Sequence, residues 1–347
     1  MMAKPQSTVE SGPSGMEVRP LNHFDVTGSV RISSPWAVRD AVLEALTPHF
    51  PGLDQKPLAH AFLTFTRLYA GDLPGYVGCD TWYHDAQHSL DCALAMARVL
   101  DGYERTVAAA ERLGARRATL GVIVALFHDA GYIRRKDDKA TNGAEYTIGH
   151  VRRSGEFLRS YLPTVGFTAE EADLASRIVH YTGYEMELDK IEVSDPLDRL
   201  LGFMLGTADI LSQCADRVYL EKCRDFLFRE FFICGLAGPG IAGGPKPIYS
   251  SAEDLLKKTP EFQEKVRQER LDGYFQGVRR YMSEHFGGYD PYTSALRQHL
   301  DHLQGLLRAG HLNELRRLPE AVGSEAMREA LRDPKLSARP PAQPRTY

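Results

Sequence analysis

Apolar residues recur along most of the chain at intervals of three and four, the spacing at which side chains share one face of an α-helix. Clear examples are "LDCALAMARVL" (90–100) and "LLGFMLGTADIL" (200–211). The pattern predicts helices over 36–48, 57–70, 84–101, 104–130 with a break, 146–162, 169–182, 196–212, 215–233, 260–285 and 292–309. Strand-like alternation of apolar and polar residues is hard to find. The sequence therefore predicts an all-α fold.

Both ends and one internal segment depart from this pattern. Residues 1–20 and 332–347 are rich in Pro, Ser and charge, which predicts that both are disordered. Residues 235–251, "GLAGPGIAGGPKPIYSS", are dense in Gly and Pro and predict a flexible connector or a lid. This segment would separate a helical core, 21–234, from a C-terminal helical extension, 252–331.

Composition narrows the range of partners. The 347 residues are 43% hydrophobic and 25% charged, with a net charge of −4, which gives no general electrostatic reason to bind a nucleic-acid duplex or a membrane. No segment has the pattern of a signal peptide or of a membrane span, so we expect a cytoplasmic protein.

The five cysteines form no CxxC pair, which predicts reduced thiols rather than a structural zinc site. The oligomeric state stays open.

A histidine and an aspartate close the uncharged stretch in "LGVIVALFHDAGY" (120–132). Ionisable side chains directly after such a core-like run need a partner that offsets their desolvation. Water at a helix end could serve His128 and Asp129, and so could a metal ion.

A second group of polar residues lies in "TWYHDAQHSLDC". His84, His88 and Asp91 are spaced i, i+4 and i+7, so one helix would direct all three from a single face. An exposed polar stripe is the alternative interpretation.

Three more polar residues lie beside or within apolar stretches. His150 lies in "YTIGHVRRSGEFL", His180 ends "ADLASRIVH" and Asp209 interrupts "FMLGTADIL". Each would be costly to bury without a partner. A single histidine of this kind is more often a satisfied core residue than a ligand, but the combined set favours one shared site.

The six candidate ligands occur along the chain in the order His88, His128, Asp129, His150, His180 and Asp209. This order resembles the H…HD…H…H…D order of the HD superfamily of metal-dependent phosphohydrolases, whose fold is an all-α bundle. The stretch "YHDAQHSLD" also resembles the "YHNxxHxxD" signature of class I cyclic-nucleotide phosphodiesterases, with Asp85 in place of the asparagine. In "HDAGY" the second histidine of their "HDxxH" is missing. The resemblance covers roughly residues 80–215.

The resemblance implies a dinuclear centre. The ligands of a first metal would be His88, His128, Asp129 and Asp209, and those of a second would be Asp129, His150 and His180. Imidazole and carboxylate groups suit two divalent transition-metal ions, Fe, Mn, Zn, Co or Ni, with Mg a further candidate. A hydroxide shared by the two ions would be the nucleophile, because coordination lowers the pKa of water.

The resemblance also implies a function. We expect hydrolysis of a small phosphorylated substrate, most simply a nucleotide phosphodiester such as a cyclic nucleotide, with His84 and Asp129 as the catalytic residues. His84 would protonate the leaving oxygen, although a supporting or surface position is the alternative. Basic residues at 134–136, Arg152 and Arg153 could hold a second phosphate, or they could form a solvated surface.

Three other functions are compatible with the same ligands. They are a phosphomonoesterase or nucleotidase of the HD superfamily, a diiron oxygenase with this ligand order, and a non-catalytic metal- or nucleotide-sensing module. His84 favours a hydrolase, because an oxygenase needs no acid beside a leaving alkoxide.

Overall fold

The computed structural model describes residues 21–244 and 246–333, and this part of the chain contains no β-strand. Extended pairing is limited there to three isolated bridges. The prediction of an all-α fold is confirmed. The two segments that the sequence predicts to be disordered lie outside the described residues, apart from Arg332 and Asp333.

The α-helices are numbered here in chain order. They are α1 (Pro35–Leu46), α2 (Lys56–Ala70), α3 (Ala86–Thr106), α4 (Gly114–Phe127), α5 (His150–Tyr161), α6 (Ala169–Ile178), α7 (Pro196–Ala215), α8 (Tyr219–Lys222), α9 (Phe228–Ile233), α10 (Ala252–Val266), α11 (Arg280–His285), α12 (Pro291–Ala309) and α13 (Ser324–Leu331). A π-helical turn, Cys223–Leu227, joins α8 to α9, and a second, Arg267–Tyr274, follows α10.

The observed helix bounds differ from the predicted ones at several points, most clearly at the starts of α3 and α10. Helix α3 begins at Ala86 because the side chain of Asp85 accepts a hydrogen bond from the backbone of His88 and caps the helix. His84 therefore precedes the helix and does not share its face with His88. The helix predicted over 260–285 begins earlier, at Ala252, and is interrupted after Val266.

Helix α3 is the centre of the bundle. It packs against α1, α4, α7 and α11, and every residue from Ala86 to Glu104 is buried. The C-terminal helices also join this core, because α12 packs on α7 and α13 packs on α2. The predicted extension thus lies against the predicted core, and their division at 235–251 stays a prediction.

Two further properties of the described residues bear on the expectations above. All five cysteines are buried and free of disulfides. In 21–244 and 246–333, no helix combines the length and the apolar character that a membrane crossing requires.

A buried carboxylate anchors the far end of α3. Asp101 is fully buried, and its two oxygens bind His49 Nε2 and His285 Nδ1 at 2.6 Å each, with Arg105 Nε at 2.7 Å. Burial alone would raise the pKa of this carboxyl group, but the hydrogen bonds from His285, Arg105 and His49 hold it well below its usual value. Asp101 therefore ties the segment after α1 and the end of α11 to α3.

Replacing Asp101 with asparagine should lower the free energy of unfolding at pH 7 by at least about 1.5–3 kcal/mol, the usual worth of a charged hydrogen bond. A carboxyl group with a lowered pKa in the folded state stabilises fully above its unfolded pKa, and this stabilisation is lost as the pH falls. The difference between wild type and variant should therefore shrink below about pH 3.9. Urea unfolding at pH 7 and pH 3 measures this difference in the free energy of unfolding, and a difference independent of pH would contradict this account.

The contact between α3 and α11 also depends on a glycine. A Cβ atom at Gly102 would overlap the backbone carbonyl of Tyr281, whereas one at Gly305 in α12 would meet no atom. We expect Gly102→Ala to cost about 1–3 kcal/mol through overpacking. Gly305→Ala should stabilise by about 0.5–1 kcal/mol, because alanine favours the helix. Urea unfolding of both variants tests the pair, and equal effects would contradict the prediction.

Candidate metal centre

Three packed helices bring four of the predicted ligands together. His88 lies in the first turn of α3, His128 caps the C-terminus of α4, Asp129 follows it, and Asp209 lies in the middle of α7. All four residues are at least nine-tenths buried. The apolar faces of α3, α4 and α7 pack on one another, and this packing directs the polar residues to a common point.

The facing atoms of these residues are closely spaced. His88 Nε2 lies 3.2 Å from His128 Nε2, 3.4 Å from Asp129 Oδ2 and 3.2 Å from Asp209 Oδ1. His128 Nε2 lies 3.3 Å from Asp129 Oδ2 and 3.5 Å from Asp209 Oδ1. Atoms that lie about 2.1 Å from one ion are about 3.0–3.4 Å apart at octahedral and tetrahedral angles. The spacing therefore fits His88, His128 and Asp129 as ligands of one ion, with Asp209 beside the two histidines.

His88, His128, Asp129 and Asp209 are called the cluster from here on. Hydrogen bonds to residues outside this cluster orient its side chains. His128 Nδ1 lies 2.8 Å from the carbonyl oxygen of Ala125 and so donates its proton there. Its Nε2 is therefore the ring nitrogen that faces the cluster, where a bound metal ion would take the place of a proton. The side chain of Gln213 donates to Asp209 Oδ1 at 3.2 Å.

The electrostatics of the cluster favour a cation at its centre. Burial alone would raise the pKa of Asp129, but His128 lowers it well below its usual value, and hydrogen bonds from His128 and His88 likewise outweigh burial at Asp209. Asp129 Oδ2 is buried and has no hydrogen-bond partner within the described part of the chain. An orphaned carboxylate oxygen facing two imidazole nitrogens fits a metal ion, and this buried group could hold one.

The two carboxylate oxygens of Asp129 face different histidines. Oδ2 faces His88 and His128, whereas Oδ1 lies 3.4 Å from His150 Nε2. His150 Nδ1 is satisfied by the carbonyl oxygen of Thr147 at 2.7 Å, which leaves Nε2 toward Asp129. This arrangement fits a carboxylate that bridges two positions.

His180 is placed differently. Its Nδ1 lies 2.6 Å from Glu185 Oε1, and among the described residues no ion pair joins it to Asp129. Its role as a ligand of a second metal stays a prediction.

His84 lies beside the cluster, in the turn before α3. Its Nδ1 donates to Glu230 Oε2 at 2.5 Å, and its ring stacks on Tyr132 with 4.4 Å between centroids. The ring centroids of His88 and His150 both lie 6.0 Å away. Burial alone would lower the pKa of His84, but the charge of Glu230 outweighs it and raises the pKa. Glu230 therefore holds the ring of His84 through Nδ1, while Nε2 lies 3.5 Å from the hydroxyl of Tyr132.

The sequence interpretation missed three neighbours of the site. Glu230 is fully buried on α9, where a lone acid within "LFREFF" was the available signal. Tyr132 is the last residue of "HDAGY" and stacks between His84 and His150. Cys92, four residues after His88, forms a second group with His128 and Asp209 that could hold an ion. Burial raises the pKa of this thiol to about 11, so it is the weaker ligand.

No protein-family model matches this chain, and no curated protein is significantly similar to it. The resemblance to the HD superfamily therefore stays a prediction carried by the residues themselves.

We expect Asp129→Asn to weaken transition-metal binding by more than the roughly 10–100-fold that the loss of an outer hydrogen-bond partner costs. The charge of Asp129 faces every histidine of the cluster, so metal content at saturating Mn²⁺ or Zn²⁺ should fall more than in Asp209→Asn. Elemental analysis and calorimetric titration measure both quantities. His302→Ala, at an exposed position of α12, is the control. An Asp129→Asn variant with wild-type metal content and affinity would contradict the assignment.

Proposed function

We propose that this protein is a metal-dependent phosphohydrolase that cleaves a phosphodiester, with His84 as the general acid. The observation that carries the proposal is that the buried metal-ligand cluster and the paired His84 line the same cavity, which has a volume of about 590 Å³. Metal ligands alone would also suit an oxygenase or a sensor. A protonated histidine beside them suits cleavage of a bond whose leaving group needs a proton.

The metal ions, when bound, would neutralise charge on the phosphoryl group and activate water. Protein side chains supply the rest. Asp129 and Asp209 offer ionised carboxylates, and His88, His128 and His150 offer imidazole nitrogens whose orientation is fixed before binding. Because these ligands are buried, little reorganisation accompanies binding of the phosphoryl group.

The position of His84, the proposed general acid, depends on Glu230. This carboxylate accepts hydrogen bonds from the backbone amides of Trp82 and Tyr83, at 2.7 and 2.6 Å, as well as from His84 Nδ1. It therefore fixes both the loop and the imidazole ring, and it stabilises the imidazolium form. The acidic proton is then the one on Nε2, which can pass to a leaving oxygen in the cavity.

A phosphomonoesterase is the second candidate function. The same ligands and acid would serve a monoester, because its leaving oxygen also needs a proton. The oxygenase is less well supported, since the pair formed by His84 and Glu230 has no role in it.

Substituting His84 with alanine should leave the metal content unchanged and lower kcat by roughly 10²–10⁴-fold, the usual contribution of a general acid. The loss should be large for a diester with an alkyl or ribose leaving group. It should be small for bis(4-nitrophenyl) phosphate, whose leaving group departs as a stable anion. Steady-state rates on both substrates, with metal-matched wild type and His302→Ala as controls, measure the difference.

Equal losses on the two substrates would contradict the acid role of His84. A fully metallated wild type that hydrolyses no phosphate ester would contradict the proposed function itself.

A further inference from the structure

Two chemically different sets of residues line the cavity. One set consists of the metal-ligand cluster and His84. The other set, called here the apolar wall, is formed by aliphatic and aromatic side chains of α9, the segment before it, the 235–251 segment and α10. Six of these residues are Leu227, Phe231, Leu236, Tyr249, Leu255 and Phe262. Phe231 and Tyr249 stack face to face, with 5.6 Å between their centroids. A phosphoryl group at the metals would therefore place the rest of its substrate against an apolar wall.

No lysine or arginine is present among the described residues that line the cavity. Two cations contact residues of the lining without lining the cavity themselves. Arg270 lies over the ring of Tyr184 and donates to the carbonyl oxygen of Gly183. Lys258 donates to the carbonyl oxygen of Ile248 and pairs with an acid of its own helix. Neither of these two side chains lines the cavity.

Three of the five basic residues considered in the sequence bind acidic side chains elsewhere, and none of the five lines the cavity. Arg134 binds Asp80 at 2.8 Å, Arg153 binds Asp138 at 2.8 Å, and Arg152 binds Glu156 on the surface of its helix. None of these arginines lines the cavity. The hypothesis that they hold a second phosphate thus has no support in the geometry.

Outside the apolar wall, the lining of the cavity includes a negative group. Glu185 lines the cavity, and its carboxylate pairs with His180. Ionised groups bound without a cation lose hydration that nothing replaces, and a carboxylate nearby adds repulsion. The apolar character also continues to the mouth, where Ile148 and Ile248 are 51% and 54% exposed.

We propose that the cavity selects substrates with a single phosphoryl group joined to an uncharged, apolar or planar body, and that it rejects a second anionic group. This inference rests on the proposed function, because it assumes that the phosphoryl group lies at the metal-ligand cluster. The proposal covers esters with one phosphate, and it excludes polyphosphates and dinucleotides that carry a second phosphate.

Three phosphonates of matched chemistry test the proposal by calorimetric titration of the metal-loaded protein. Phenylphosphonate should bind about tenfold or more tightly than methylphosphonate, because its ring leaves water for the apolar wall. 4-Carboxyphenylphosphonate should bind about tenfold or more weakly than phenylphosphonate, because its second charge meets no cation. Phenylphosphonate that binds no better than methylphosphonate, or a carboxylated ring that binds as well as the plain ring, would overturn the proposal.

A charge introduced into the wall gives a second test. Ile248→Lys should improve the binding of 4-carboxyphenylphosphonate relative to phenylphosphonate by about tenfold. The matched control is Ile241→Lys, since Ile241 has the same 54% exposure but does not line the cavity. Equal effects of the two substitutions would overturn the proposal.

The two proposals can fail separately. A protein that shows this order of phosphonate affinities but hydrolyses no phosphate ester would contradict only the proposed function. A phosphohydrolase that binds the charged and uncharged rings equally would contradict only the substrate class.

Discussion

The mutual approach of His88 Nε2 and His128 Nε2, at 3.2 Å, is the constraint on which the rest of the site depends. Two imidazole nitrogens and two ionised carboxylates cannot remain this close in a buried position without a positive charge between them. Protons could supply part of that charge, but one oxygen of Asp129 still has no partner. A metal ion would supply the missing charge, and three tightly packed helices hold a buried group, His88, His128 and Asp129, that could bind one.

The sequence alone predicts the parts of this structure that depend on short-range pattern. Apolar spacing predicts the helices, and ionisable residues such as Asp209 within apolar helices predict buried polar contacts. The position of His84 was harder to predict, since the cap at Asp85 delays the start of α3 by two residues. Its partner, Glu230, lies 146 residues further along the chain. Such a contact depends on tertiary packing, which no local pattern encodes.

The two sides of the site are held with different firmness, and tertiary packing explains this difference as well. The ligands that surround Asp129 Oδ2 lie on helices that pack directly on one another, so their geometry is fixed by the core. His150 begins α5, and His180 follows α6 and is held by Glu185. These two histidines depend on loops and on a separate ion pair. The side of the site that faces them is therefore less constrained than the side that faces α3, α4 and α7.

The cap of α3 makes the site dependent on residues far beyond its ligands. Asp85 uses one carboxylate oxygen for the amide of His88 and the other for the amide of Val322, at 2.7 Å. Every predicted ligand precedes residue 210, yet the helix turn that carries His88 is completed only when the chain has returned to it more than two hundred residues later. The centre therefore cannot be transplanted as the contiguous block 80–215. A shortened gene that preserves this cap must encode the chain past residue 322.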